Sequence, residues 1–133
     1  MSAAVFPGFE SLDVDTGETS IFVRWRGTGP PLLLLHGFPE THLMWRDIAP
    51  KLARDFTVVC ADLRGYGRSG CPPSDAEHGP YTKRAMARDM VHVMTGSATR
   101  AFRSPVMIAA AASPIAWRSI IPNAYNGWPC LTC

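Results

Sequence analysis

"PPLLLLHGFPE", Pro30 to Glu40, decides the architecture of this 133-residue chain. Four consecutive leucines leave no polar side, so a strand built from them must be buried on both faces. Parallel sheets covered by helices hold strands of this kind. Gly37 and Pro39 stop the run and mark a loop. A second apolar run, Phe56 to Ala61 in "FTVVCADLRGYGRSG", also empties into a glycine-rich loop. Between the two, the spacing changes. Trp45, Ile48, Ala49, Leu52, Ala53 and Phe56 share one helical face from Thr41 onward. Thr41 offers an N-cap, and Pro50 should kink or break the helix because it lacks an N–H and crowds the preceding turn. Tyr81 to Met94 predicts a further helix, with Ala85, Met86, Met90 and Val93 on its apolar side. Ahead of all this, "FESLDVDTGETSIFVRWRGTG" predicts two strands around Thr16-Gly17-Glu18. Phe22 interrupts the polar face of the second. Strand, helix, strand, loop, helix describes an α/β doubly wound sheet.

Composition limits the function. Hydrophobic residues make up 47% of the chain and charged ones 18%, as in globular domains. A net charge of +2 is too small to suggest nucleic acid or a membrane surface as partner. The amino-terminal "MSAAVFPGFESLDVD" has neither the basic nor the apolar region of a secretory signal. The apolar stretch from Pro105 to Ile121 is too short to span a bilayer and contains two prolines. Cys60 and Cys71 lie in a predicted strand and a loop. The pair in "CLTC", Cys130 and Cys133, lacks the strand–helix context of a redox motif. The expectation is a cytoplasmic chain with no metal site and no cofactor. His42, His78 and His92 show no ligand spacing, and Trp45 reads as core.

"HGFPE" after one buried strand and "DLRGYGRS" after the next resemble the α/β-hydrolase superfamily. Within it, residues 7 to 94 look most similar to haloacetate (fluoroacetate-type) dehalogenases and their epoxide-hydrolase relatives. The resemblance implies the N-terminal portion of the hydrolase sheet, incomplete here, and a small-molecule substrate, a halogenated short acid or an epoxide. It also implies that His36, Gly37, Phe38 and Pro39 form the oxyanion-hole loop. Gly37 would permit the tight turn, the Phe38 N–H would face developing negative charge, and Pro39 would stiffen the loop. His36 reads as a loop-orienting residue, because the family's catalytic histidine comes near the end of the chain. Asp62 and Arg64 are expected to hold their loop by hydrogen bonds and charge pairing, with Gly65 and Gly67 permitting its turns. Ser69 is no nucleophile: its surroundings are not G-x-S-x-G, and it follows the wrong strand.

The family's nucleophile sits on a G-x-D-x-G or G-x-S-x-G elbow, and these 133 residues contain neither. No residue is assigned a catalytic role. Instead the chain continues "SPVMIAAAASPIAWRSIIP", Ser104 to Pro122. Codon structure offers an account. Suppose each residue after Met94 is read one base out of phase. Met107-Ile108 can then encode only aspartate, and Pro105 through Ala112 permit "GHDRGGR", the missing elbow with two arginines behind it. One base lost after the Met94 codon would produce the whole tail. The chain therefore divides into a hydrolase segment, 1–94, and a tail, 95–133, expected to be out of frame and without a fold of its own. Three other readings stay open: an epoxide hydrolase-like parent, an esterase parent, and a non-catalytic fragment that pairs with an intact hydrolase through its open sheet edge.

Overall fold

The computed structural model describes residues 5–37, 39–95 and 107–110. Its elements, in chain order, are β1 (Glu10–Asp15), β2 (Ser20–Arg26), β3 (Pro31–Leu35), a 3-10 turn (His42–Trp45), α1 (Ala49–Leu52), β4 (Thr57–Ala61), a second 3-10 turn (Gly79–Tyr81), α2 (Lys83–Thr95) and β5 (Met107–Ala110). The strands form one sheet in the order β1-β2-β4-β3-β5. β1 and β2 are an antiparallel hairpin, and β2 runs antiparallel to β4. β4, β3 and β5 are mutually parallel, with Leu34 opposite Cys60 on one side and Ala109 on the other.

The leucine run is buried on both faces because the chain covers both. Leu33 and Leu35 pack with Val59, Ala61 and the α2 residues Met86, Ala87, Met90 and Val93. Leu32 and Leu34 pack with Phe6, Trp45, Ala49, Val58 and Cys60 on the opposite side. Each fully buried leucine contributes about 1.5–3 kcal/mol of apolar transfer. Trp45 is core, 2% exposed. Phe22 is buried as well, because Phe6 and His42 close over that face of β2. A polar face was therefore never required there.

The helix expected from Thr41 to Phe56 is two short pieces instead. Thr41 caps the first through its side chain, accepting from Leu43 N–H. Pro50 then stands in the first turn of α1. There its missing N–H costs nothing, so it starts a helix rather than kinking one. Ile48, placed by periodicity on the buried face, is 44% exposed at this break. At the end of β2, Gly27 has φ +113, and a side chain there would collide with the backbone carbonyl of Phe56. That contact is what allows the turn into β3 to lie against the end of α1. Of the segment 95–133, Met107–Ala110 lies in the sheet. The out-of-phase reading otherwise falls outside the described residues.

Candidate functional site

The helix between β3 and β4 lies on one face of the sheet, and α2, which follows β4, lies on the other. α1 packs with the core on the Leu32 and Leu34 side, and α2 with that on the Leu33 and Leu35 side. β3 consequently has β4 on one flank and β5 on the other. The strand order reverses between β3 and β5. In doubly wound sheets, ligands bind outside the carboxyl ends of the strands at such a reversal. Leu35 and Ala110 end β3 and β5 side by side. The chain that leaves β3 at this point is His36-Gly37-Phe38-Pro39.

His36 is 1% exposed. Its Nε2 accepts a hydrogen bond from the Leu63 N–H at 3.0 Å. That donor fixes the tautomer: the ring proton is on Nδ1, which donates to Gly37 O at 2.9 Å. Tyr66 meets the ring edge-on, with centroids 5.1 Å apart. Both nitrogens are thus occupied by backbone groups, and His36 braces the β3 loop against the β4 loop. Gly37 is half-buried and Pro39 exposed. The Glu40 N–H donates to Gly37 O at 2.9 Å and closes the loop. Phe38, the expected oxyanion donor, lies outside the described residues.

The loop after β4 is organised around Asp62, which is fully buried. Its Oδ1 accepts from the His42 N–H at 2.6 Å and from His42 Nδ1 at 2.9 Å. Its Oδ2 accepts from the Arg68 N–H at 3.0 Å. Its own carbonyl accepts from Ser69 Oγ at 2.6 Å, while Ser69 Oγ accepts from the Phe22 N–H at 2.9 Å. Ser69 is therefore a bridge between the loop and β2. Burial pushes the Asp62 carboxyl upward, but the hydrogen bonds from His42 and Arg68 outweigh it and hold the group below the ordinary carboxylate range. Gly67, at φ +51, lies so close to the Asp62 carboxylate that any side chain there would collide with it.

Arg64 points the other way, into α2. Its Nε and Nη2 grip the two oxygens of Asp89 at 2.7 and 2.6 Å, and Nη1 reaches Pro80 O at 2.7 Å and Glu18 Oε2 at 3.1 Å. The bonds to Asp89 raise the guanidinium pKa, with burial acting against them. Gly65, at φ +80, turns the chain beneath the Tyr81 ring. Sequence reasoning named Asp62 and Arg64 but not their partners. Asp89 was hidden on a face of α2 otherwise made of apolar residues, Glu18 in a turn, and His42 among three histidines without a pattern. His78 bonds Ser74 Oγ on the surface. Among the described residues, no three His, Cys, Asp or Glu side chains gather as a metal site. Cys60 is buried, and burial first, then Asp62, pushes its thiol far above the ordinary range, which disfavours the thiolate. No helix in the described residues is long and apolar enough to cross a membrane.

A family model, alpha/beta hydrolase fold, matches residues 30–97. A fluoroacetate dehalogenase from a Burkholderia species is 51% identical over 90 residues, which is 68% of this chain and 30% of that protein. A soluble epoxide hydrolase from a Corynebacterium species is 45% identical over 64 residues, 48% of this chain and 21% of that protein. Among solved structures, a Nostoc protein assigned to the α/β hydrolases superposes with a TM-score of 0.77 at 42% identity, covering 88% of this chain and 39% of that one. A Pseudomonas aeruginosa protein assigned as an epoxide hydrolase gives 0.77 at 36%, covering 92% and 41%. The chain thus spans less than a third of the length of the two curated relatives.

Proposed function

Because the chain belongs to the alpha/beta hydrolase fold family, we propose that it carries the oxyanion-loop part of a hydrolytic dehalogenase acting on a short halogenated acid. In that reaction an aspartate oxygen displaces halide from carbon. A histidine then directs water at the resulting ester, freeing the hydroxy acid and regenerating the carboxylate. The observation that carries the reading is the placement of His36 and Gly37, braced by Leu63, at the carboxyl end of β3 where the strand order reverses. The identity to the Burkholderia dehalogenase favours a haloacid over an epoxide. The out-of-phase reading supports the same choice, since "HDRGGR" sets two arginines behind the aspartate, and paired arginines suit a substrate carboxylate. The chain as it stands has no elbow nucleophile and is proposed to be inactive.

The test is to resequence the coding DNA across codons 90 to 133 and assay the encoded protein for halide release from fluoroacetate and chloroacetate. A base regained after the Met94 codon, an aspartate elbow and halide release support the proposal. A restored frame that hydrolyses epoxides but releases no halide overturns it in favour of the epoxide reading.

A further inference from the structure

His42 belongs to none of the motifs, yet both nitrogens of its ring are bonded and the ring is buried. It is 4% exposed. Its backbone N–H and its Nδ1 both reach the same oxygen of Asp62, at 2.6 and 2.9 Å. Its Nε2 accepts from Arg24 Nε at 3.3 Å. The carboxylate and the guanidinium together set the ring's tautomer, with the proton on Nδ1. The ring is packed between Phe6 and Phe22, with centroids 5.4 and 5.2 Å away. Arg24 is itself held against the same two rings, 5.5 Å from each centroid.

His42 ends the segment that His36 begins. His36 is tied to the backbone of Leu63, and His42 to the side chain of Asp62. Both ends of the β3 loop are therefore fastened to two consecutive residues of the β4 loop. One fastening alone would leave the loop free to pivot about it; two define its orientation. The second is also the stronger, because its acceptor is a buried carboxylate. We propose that His42 is a positioning residue: through Asp62 it fixes the far end of the His36–Thr41 loop, as His36 fixes the near end. The role in an oxyanion hole rests on the function proposed above, but the clamp itself is a property of this chain and is measurable without turnover.

Amide hydrogen exchange on the full chain tests it. The Glu40 N–H, bonded to Gly37 O inside the loop, reports the clamp; the amides of β4 report global opening. Replacing His42 by alanine keeps the backbone N–H bond to Asp62 but removes the ring's bond, and should accelerate exchange at Glu40 several-fold more than at β4, where loss of the buried ring registers as global destabilisation. His42→Asn keeps a donor near the Nδ1 position and should restore protection. His42→Gln reaches instead toward Arg24 and should not. This contrast carries the test even if the alanine variant does not fold. The proposal is overturned if Glu40 is unaffected, if β4 accelerates by the same factor, or if Gln restores protection as well as Asn. Failure of the halide-release assay would leave these outcomes untouched.

Discussion

Removing the Asp89 carboxylate should be the most damaging single change to a charged side chain among the described residues. The Arg64 and Asp89 side chains are 1% and 2% exposed, and two short parallel hydrogen bonds join them. Asp89→Ala strands a buried guanidinium. Its other partners recover little: Pro80 O is neutral, and Glu18 is 52% exposed, where an ion pair is worth about 0–1 kcal/mol. Breaking one side of a buried pair costs about 3–5 kcal/mol, a large part of the 5–15 kcal/mol that typically holds a domain together. Urea unfolding, followed by far-ultraviolet circular dichroism, measures the loss. The double replacement Arg64→Met with Asp89→Leu should recover most of it, since it removes both charges and leaves apolar volume. A loss below about 1 kcal/mol in Asp89→Ala, or a double variant as unstable as the single one, would refute the argument that burial makes this pair different from a surface bridge.

Asp62 makes stability depend on acid. Its folded carboxyl lies below the ordinary range, so its contribution is complete above about pH 4 and is lost as pH falls through the lower folded value. The urea midpoint should drop in that window, and Asp62→Asn should flatten the drop; an unchanged acid limb in the variant would count against the hydrogen bonds from His42 and Arg68. In a background with Cys130 and Cys133 replaced by serine, a thiol reagent should modify Cys71 at once and Cys60 only on unfolding. Equal rates at both would show that the β3–β4 core opens readily.

What was legible in the sequence followed from burial. Leu32 to Leu35 and Val58 to Cys60 read as strands covered on both faces because short apolar runs stopped by glycine and proline have that look, and the period of Ala85, Met86, Met90 and Val93 read as a helix. The break expected at Pro50 is present, but it falls one turn earlier, because proline is tolerated in the first turn of the helix that follows and so begins α1 instead of ending the piece before it. The polar skeleton was half visible. Asp62 and Arg64 stood out because they follow a buried strand. Their partners come from 18 to 89 in the sequence, and no local pattern joins a turn glutamate, a loop histidine and a helix aspartate. Such pairings are fixed by tertiary geometry alone. His42 is the clearest case, since its chemistry lies wholly in what stands opposite it.

The parallel seam between β3 and β5 has a consequence for the order of events in folding. β1 and β2 meet across a tight turn. β3 meets β4 at Leu32 and Val58, about 26 positions apart, and β5 at Leu32 and Met107, about 75 apart. Closing the longer loop costs about 1 kcal/mol more in chain entropy, and non-local parallel pairing is slow to form. The hairpin and the β3–β4 pair can therefore assemble before the last strand docks. The seam at whose carboxyl end His36 stands would in that sense be the youngest line in the sheet, a boundary in time as well as in topology.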